Sequence, residues 1–387
     1  MTGKERIRAV LSGPACGTGE RPDRVPVMHI SVSSRIASAL LGREAYVGGG
    51  MQQWREARAL WEGPDAHAEF LERSIRDAID VSLALGHDMI RPYYWRMPRR
   101  PSACIDEHTF RYDSPDGTWE VHRLDVPTEL YNRIDGSPVE ERSFEDLDAE
   151  VEAAERSAEA YTPTDARFPE VLAVFERMGD RYAVRTGGPW TNIPEGDPRW
   201  LQATLLRPDL VARLLDTQVV TSLKNVAFLA AKGLTCFFGG GDFASNQGPM
   251  YSPKVFHDLM VPRLKRISDF CHELGTFHLF GTDGNLWPLA DDFYVHSGID
   301  GHYEVDRRAG MDIRSINGKY PHIALFGNIS SYTLHVGTVD EVIAETRACM
   351  EEAAACGKAV VGCSNIIVPE TPMRNIEAML ETIDRFR

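Results

Sequence analysis

The strongest constraint in this chain is a rhythm. From Arg181 to the C-terminus, short apolar runs alternate with stretches of helical periodicity. The pattern predicts strands at 181–186, 234–239, 277–280, 301–305, 323–327 and 359–363. Each is followed by a helix, at 198–231, 253–274, 286–296, near 312–317, at 338–356 and at 372–386. The strand segments are apolar on nearly every residue, as expected of parallel strands covered on both faces. Two more strands are predicted near the start. One, 25–30, follows the turn Arg21-Pro22-Asp23-Arg24; the other, 87–94, follows a helical pattern over 52–85 that stops before Gly86. Eight strand–helix units favour a closed (β/α)8 barrel over an open doubly wound sheet.

Missing signatures point the same way. No GxGxxG follows the first strand and no GxxxxGK[ST] occurs, so the phosphate-binding loops of open α/β sheets are lacking. Gly239-Gly240-Gly241 leads into Asp242 rather than a helix start and reads as a loop of close backbone approach. The absence of GxSxG and HExxH weighs against an α/β-hydrolase and against that zinc-protease class. At 387 residues the chain fits one barrel domain with additions. These are an N-terminal extension and an insertion over about 104–165, containing a hairpin (109–112 and 118–123 around Ser114-Pro115-Asp116-Gly117) and an acidic stretch, 124–165.

Charge narrows the partners. A net charge of -15 argues against nucleic acid and anionic membranes, which both need a basic face. Seven cysteines, with no CxxC, read as reduced and mostly buried thiols. The N-terminus lacks the apolar centre of a signal peptide, and no apolar run reaches the roughly 20 residues that span a bilayer. A cytoplasmic enzyme acting on a small molecule is expected, with the oligomeric state left open.

In a barrel of this kind chemistry sits just after each strand. Those positions hold His29, Ser31 and Arg35; Arg91, Tyr93, Tyr94 and Trp95; Arg185, Thr186 and Trp190; Asp242, Ser245 and Asn246. They continue with His278, Thr282, Asp283 and Asn285; His302, Glu304 and Asp306; Asn328 and Ser330; Cys363, Ser364 and Asn365. A polar ring with aromatic walls suits a pocket. Asp242, Asp283 and Glu304 are the candidate catalytic carboxylates. His29, Arg35, Arg91, Tyr93, Arg185, Asn285, Asn328 and Asn365 are candidate substrate-binding groups. Ser31, Thr186, Ser330 and Ser364 read as helix caps or backbone partners. His278 and Cys363 are ligand types that zinc accepts, although a histidine in an apolar run more often packs in a core.

Several segments carry a family resemblance. Lys4-Glu5-Arg6-Ile7 with Pro22-Asp23-Arg24-Val25-Pro26-Val27 is one. Gly240-Gly241-Asp242 running on to Gly248-Pro249-Met250-Tyr251-Ser252-Pro253, and Asp283-Gly284-Asn285, are others. The tail adds Ala309-Gly310-Met311-Asp312, Gly327-Asn328-Ile329, Gly337-Thr338 with Glu341-Val342, Pro369, Thr371-Pro372 and Asn375. In order and spacing these resemble the uroporphyrinogen decarboxylase superfamily, most strongly from residue 233 onward. The resemblance implies a (β/α)8 barrel and one of two activities. One is cofactor-free decarboxylation of the acetate side chains of uroporphyrinogen III. The other is methyl transfer between a methylated corrinoid protein and a thiol or pterin, in many members with zinc.

The sequence departs from both patterns. Where the decarboxylases carry Arg-Gln-Ala-Gly-Arg, this chain has Ser31-Val32-Ser33-Ser34-Arg35, which keeps only the second arginine. Where the thiol methyltransferases carry His-x-Cys-Gly, this chain has Gly281 in place of the histidine and Asp283 in place of the cysteine. Asn365 stands in place of the later cysteine, with His278 three residues early and Cys363 two residues early. Asp283 and Asn365 suit a hydrogen-bonding site, as for a pterin-type acceptor. The leading expectation is a corrinoid-linked methyltransferase-like enzyme, its cobamide carried on a partner protein and zinc a further candidate cofactor. The alternatives are a decarboxylase of uroporphyrinogen or of a smaller polycarboxylate, and a ligand-binding barrel without catalysis.

Overall fold

The computed structural model describes residues 1–12, 20–138 and 142–387; Cys16 and part of the acidic stretch, 139–141, lie outside the described residues. Eight parallel segments close into a ring. Strands four to eight of the barrel are Cys236–Gly240, Phe277–Gly281, Gly301–Val305, Ala324–Ile329 and Ala359–Cys363. They form one continuous five-stranded ladder. Strand three, Ala183–Val184, pairs with strand two, Met89–Ile90, and reaches strand four through a bridge from Thr186 to Phe237.

Strand one, residues 25–30, joins strand eight through a bridge from Val27 to Val361. Backbone bonds join it to both neighbours: the Met28 and Ile30 N–H groups donate to the Val361 and Cys363 carbonyls, and the Asp88 N–H to the Val27 carbonyl. Side chains standing in for backbone carbonyls complete the seams. Asp88 Oδ2 accepts the Val27 N–H at 3.0 Å, His87 Nε2 accepts the His29 N–H at 3.0 Å, and His29 Nδ1 accepts the Cys363 N–H at 2.9 Å. Such substitutions satisfy buried backbone donors that a regular ladder would otherwise pair.

The barrel interior is apolar at its lower end. Helix Gly3–Ser12 places Ile7, Val10 and Leu11 against Met28, Met89, Ala183, Cys236, Ala324 and Val360, closing that end. A second, larger apolar layer lies between the strands and the outer helices. The helix expected over 52–85 is two, Gly50–Glu62 and Pro64–Ala84, divided at Gly63 (φ +133°). The helix expected over 198–231 is also two, Pro198–Leu206 and Pro208–Ala230. Proline excludes the α region for the residue before it, and Arg207 sits at φ -141°, ψ 58°. The segment expected to be helical over 286–296 is short turns, Trp287–Leu289 and Asp292–His296.

The predicted hairpin is the centre of a four-stranded antiparallel meander, Ala103–Asp106, Thr109–Asp113, Trp119–Asp125 and Leu130–Gly136. It is docked rather than free: Phe110, Tyr112, Leu124 and Tyr131 bury against Trp54 and Ala57 of helix Gly50–Glu62. Its last turn carries Glu129, whose carboxylate accepts the Ser34 and Arg35 N–H groups at 2.7 Å each. That carboxylate therefore caps helix Ser34–Leu41, whose own Ser33 makes no side-chain cap. No helix among the described residues is long and apolar enough to cross a membrane.

Candidate active site

The site is built outward from the ladder. Between strands six and seven the register slips between Tyr303 and Val305, and Glu304 takes φ +73°. A bulge with a non-glycine residue in the left-handed region costs of order 1–3 kcal/mol and clusters at functional sites. Glu304 lines a small cleft of about 90 Å³ at the strand ends, with Asp283, Asp306, Arg308, Ser330, Tyr332, Ser364 and Asn365.

The carboxylates lie close enough to oppose one another's ionisation. Burial pushes the Asp283 carboxyl up, and Asp242 and Asp306 push it further. Asp242 is raised by burial and by Glu195. Burial raises Glu304 to about 7; Arg185 holds it back, Asp283 and Asp242 add to the rise, and Arg91 opposes it. A carboxyl titrating near neutrality can both take and give a proton under ordinary conditions.

Across the barrel stand two cations. Arg91 Nη1 donates to the Ile30 carbonyl at 2.6 Å and its Nε to the Tyr93 carbonyl at 3.0 Å; Arg185 Nη1 reaches the same Ile30 carbonyl at 3.4 Å. Burial and then the neighbouring Arg185 lower the Arg91 guanidinium to about 10. Arg185 lies over the rings of Phe238 and Tyr303, at 5.1 and 4.8 Å from their centroids. Among the described residues neither arginine forms a close ion pair with a carboxylate; Arg185 interacts electrostatically with Glu304. Tyr93, Trp95, Trp190 and Tyr332 are exposed aromatics at the ends of strands two, three and seven.

Asp283 and Glu304 line the cleft, and Arg185, Asp242 and Arg91 act on Glu304 electrostatically from beside it. Asn365 Nδ2 donates to Asp283 Oδ2 at 3.3 Å, so it orients one of the carboxylates. Other expected site residues do not face the cleft. Asn328 (φ +82°) is fully buried; its Oδ1 accepts from Arg307 and the Ile313 N–H, and its Nδ2 donates to the Val305 and Met311 carbonyls. It locks the loop after strand six instead of holding substrate. His29 is buried, its ring tilted against that of His87 with centroids 5.3 Å apart, and kept neutral by burial, which lowers it to about 4. Asn285 accepts the Trp287 N–H and belongs to a turn. Arg35 is exposed and outside the residues that line the cleft, and its backbone N–H donates to Glu129.

The two expected metal ligands do not meet. His278 is buried with Nδ1 on Ser268 Oγ at 2.8 Å, facing helix Val261–Glu273, and burial lowers it to about 3. Cys363 is buried in the layer beneath the outer helices, its thiol pushed up to about 12. Nor does the mouth suit zinc at the family positions. Gly281 is packed so closely that a Cβ there would lie 2.1 Å from the Tyr303 ring, leaving no room for a histidine. Tyr303 donates to the Gly239 carbonyl at 2.7 Å across the barrel. Tyr303, which evicts that ligand, was missed in sequence, although its alternation in strand six points it inward. Glu129 was missed as well, because nothing local in sequence ties residue 129 to residues 34 and 35.

Residues 148–386 match the model of the family described as uroporphyrinogen decarboxylase (URO-D). The chain belongs to the uroporphyrinogen decarboxylase family. A methyltransferase from Methanosarcina mazei has a similar structure, with a TM-score of 0.64 at 19% identity over 100% of this chain and 99% of that one. At that identity the likeness establishes the shared barrel fold. A putative vitamin-B12 independent methionine synthase from Listeria monocytogenes aligns at a TM-score of only 0.37, with 12% identity over 58% of this chain and 69% of that one. Among curated proteins no sequence match was found.

Proposed function

We propose that this family member transfers a methyl group between a cobamide, carried by a partner corrinoid protein, and a small acceptor bearing an anionic group. The observation that carries the reading is Glu304, a carboxyl raised to about 7 and set on a strained bulge between acidic and basic walls. When bound, the cobamide supplies the electrophilic methyl group. The acceptor heteroatom must shed its proton as the methyl carbon arrives, and Glu304 takes that proton. Arg91 and Arg185 hold the acceptor's anionic end, Asn365 keeps Asp283 in place to orient the reacting atom, and the exposed aromatics give the flat donor a surface. No step passes through zinc, because among the described residues no three ligand-type side chains converge at the mouth.

Electrostatics disfavour the porphyrinogen reading. A polyanion would meet Asp242, Asp283, Glu304 and Asp306. The helix N-terminus after strand one, where a substrate carboxylate would dock, already holds Glu129. The arginine pair does favour a second reading, decarboxylation of a smaller carboxylic acid in which Glu304 returns the proton to carbon. The retained acid–base group weighs against a purely ligand-binding barrel.

The test is turnover of methylcobalamin by the full-length protein with a panel of thiols and pterins, followed by cobamide absorbance. Methyl transfer that fails in Glu304→Gln supports the proposal. No turnover with any acceptor, together with no corrinoid binding, overturns it. Complementation of a strain lacking uroporphyrinogen decarboxylase would establish the rival activity.

A further inference from the structure

A second cluster of chemistry lies away from the mouth. The helix after strand four opens at Pro253–Val255 and passes into a π-helical turn, Phe256–Met260; the segment after strand five ends in another, Asp292–His296. Asp292 and His296, four residues apart, stack on one face, and His257 reaches them from the neighbouring element. His257 Nδ1 lies 2.9 Å and His296 Nδ1 2.7 Å from the same oxygen, Asp292 Oδ1. The two imidazoles stand edge to face, their centroids 6.2 Å apart. Asp292 is 17% exposed, whereas the histidines are 58% and 54% exposed, so the cluster is open to solvent on one side. Among the described residues this is the one trio of histidine, cysteine or carboxylate ligand atoms that converge, all within 4.8 Å of one another.

We propose that His257, Asp292 and His296 form a surface binding site for a divalent transition-metal ion, zinc above all. Two imidazole nitrogens and one carboxylate oxygen are a borderline donor set; it suits zinc and its neighbours and not calcium or magnesium, which take oxygen ligands. Three protein ligands leave a fourth position for water. In a tetrahedral site with bonds near 2.1 Å, ligand atoms stand about 3.4 Å apart. The present separations therefore need to open by roughly half an ångström, within reach of exposed side chains. Binding requires both rings in the tautomer that carries the proton on Nε2, leaving each Nδ1 lone pair free for the ion. The ion clamps the helix after strand four to the segment after strand five. It is independent of the proposed methyl transfer, and it bears on any metal analysis of the protein: zinc found in a preparation belongs here and not to Glu304 or its neighbours.

The experiment is calorimetric titration of zinc chloride into chelator-treated full-length protein. It compares the unaltered chain, the double variant His257→Ala/His296→Ala, and Glu304→Gln. The inference expects one zinc per chain, affinity reduced at least tenfold by the double variant, and no change in Glu304→Gln. Cobalt(II) absorption of the unaltered chain, lost in the double variant, gives a second readout of the same ligands. Circular dichroism melting checks that the surface substitutions leave the fold intact. Undiminished binding by the folded double variant, or no binding by the unaltered chain, overturns the assignment.

Discussion

The two halves of this barrel are built by different means. Strands four to eight form one parallel ladder interrupted only by the bulge at Glu304, and the carboxylates Asp242, Asp283, Glu304 and Asp306 lie at its ends. Strands one to three contribute shorter backbone pairings, supplemented by Asp88, His87 and His29 side chains, and carry the arginines. A regular ladder fixes Cα positions firmly enough to hold like charges together against their repulsion. The irregular half relies on long-range contacts, including a helix capped by a carboxylate from the docked meander. Under the proposed function the ladder half supplies the acid–base group, and the stitched half supplies the cations that select the ligand's charge.

The comparison is tested most severely at Glu304. Replacing it with glutamine should lower kcat/KM for methyl transfer about 10²–10⁴-fold. In the unaltered enzyme, activity should rise with pH through about 7 as the base form appears, and that limb should vanish in the variant. Stability moves the other way. The folded carboxyl titrates above its ordinary 4.5, so its charged form is disfavoured in the fold. Its destabilising effect is absent below about 4.5 and complete above about 7, so melting scans should show Glu304→Gln gaining stability at pH 8 and not at pH 4.

Asn328→Ala, which leaves buried partners of a four-bond latch unpaired, should cost about 3 kcal/mol in chemical denaturation. On the cationic side, Arg185→Met should raise KM for an anionic acceptor about 10–100-fold while leaving a neutral analogue unchanged. An equal effect on both ligands would remove the arginine wall from ligand selection. The smallest effect is expected at Glu129→Gln, where one acceptor of the helix cap is lost at about 1 kcal/mol. If that variant proved more damaging than Asn328→Ala, the ladder half would not be the more sharply specified one.

The sequence alone determined the architecture, because the alternation of fully apolar strands with amphipathic helices has few closed solutions. It also placed Asp242, Asp283, Glu304, Arg91 and Arg185 at strand ends, and hence at one end of the barrel. It did not reveal which polar residues turn inward. Asn328 and His278 look like ligands in the chain, but the first is spent on backbone carbonyls and the second faces a helix. Nor did it show that Tyr303 fills the space above Gly281, that Glu129 caps a helix some 95 residues away, or that His257 meets Asp292. Those facts depend on side-chain direction and on contacts between distant segments. Local periodicity carries no information about either; only closure of the barrel decides them.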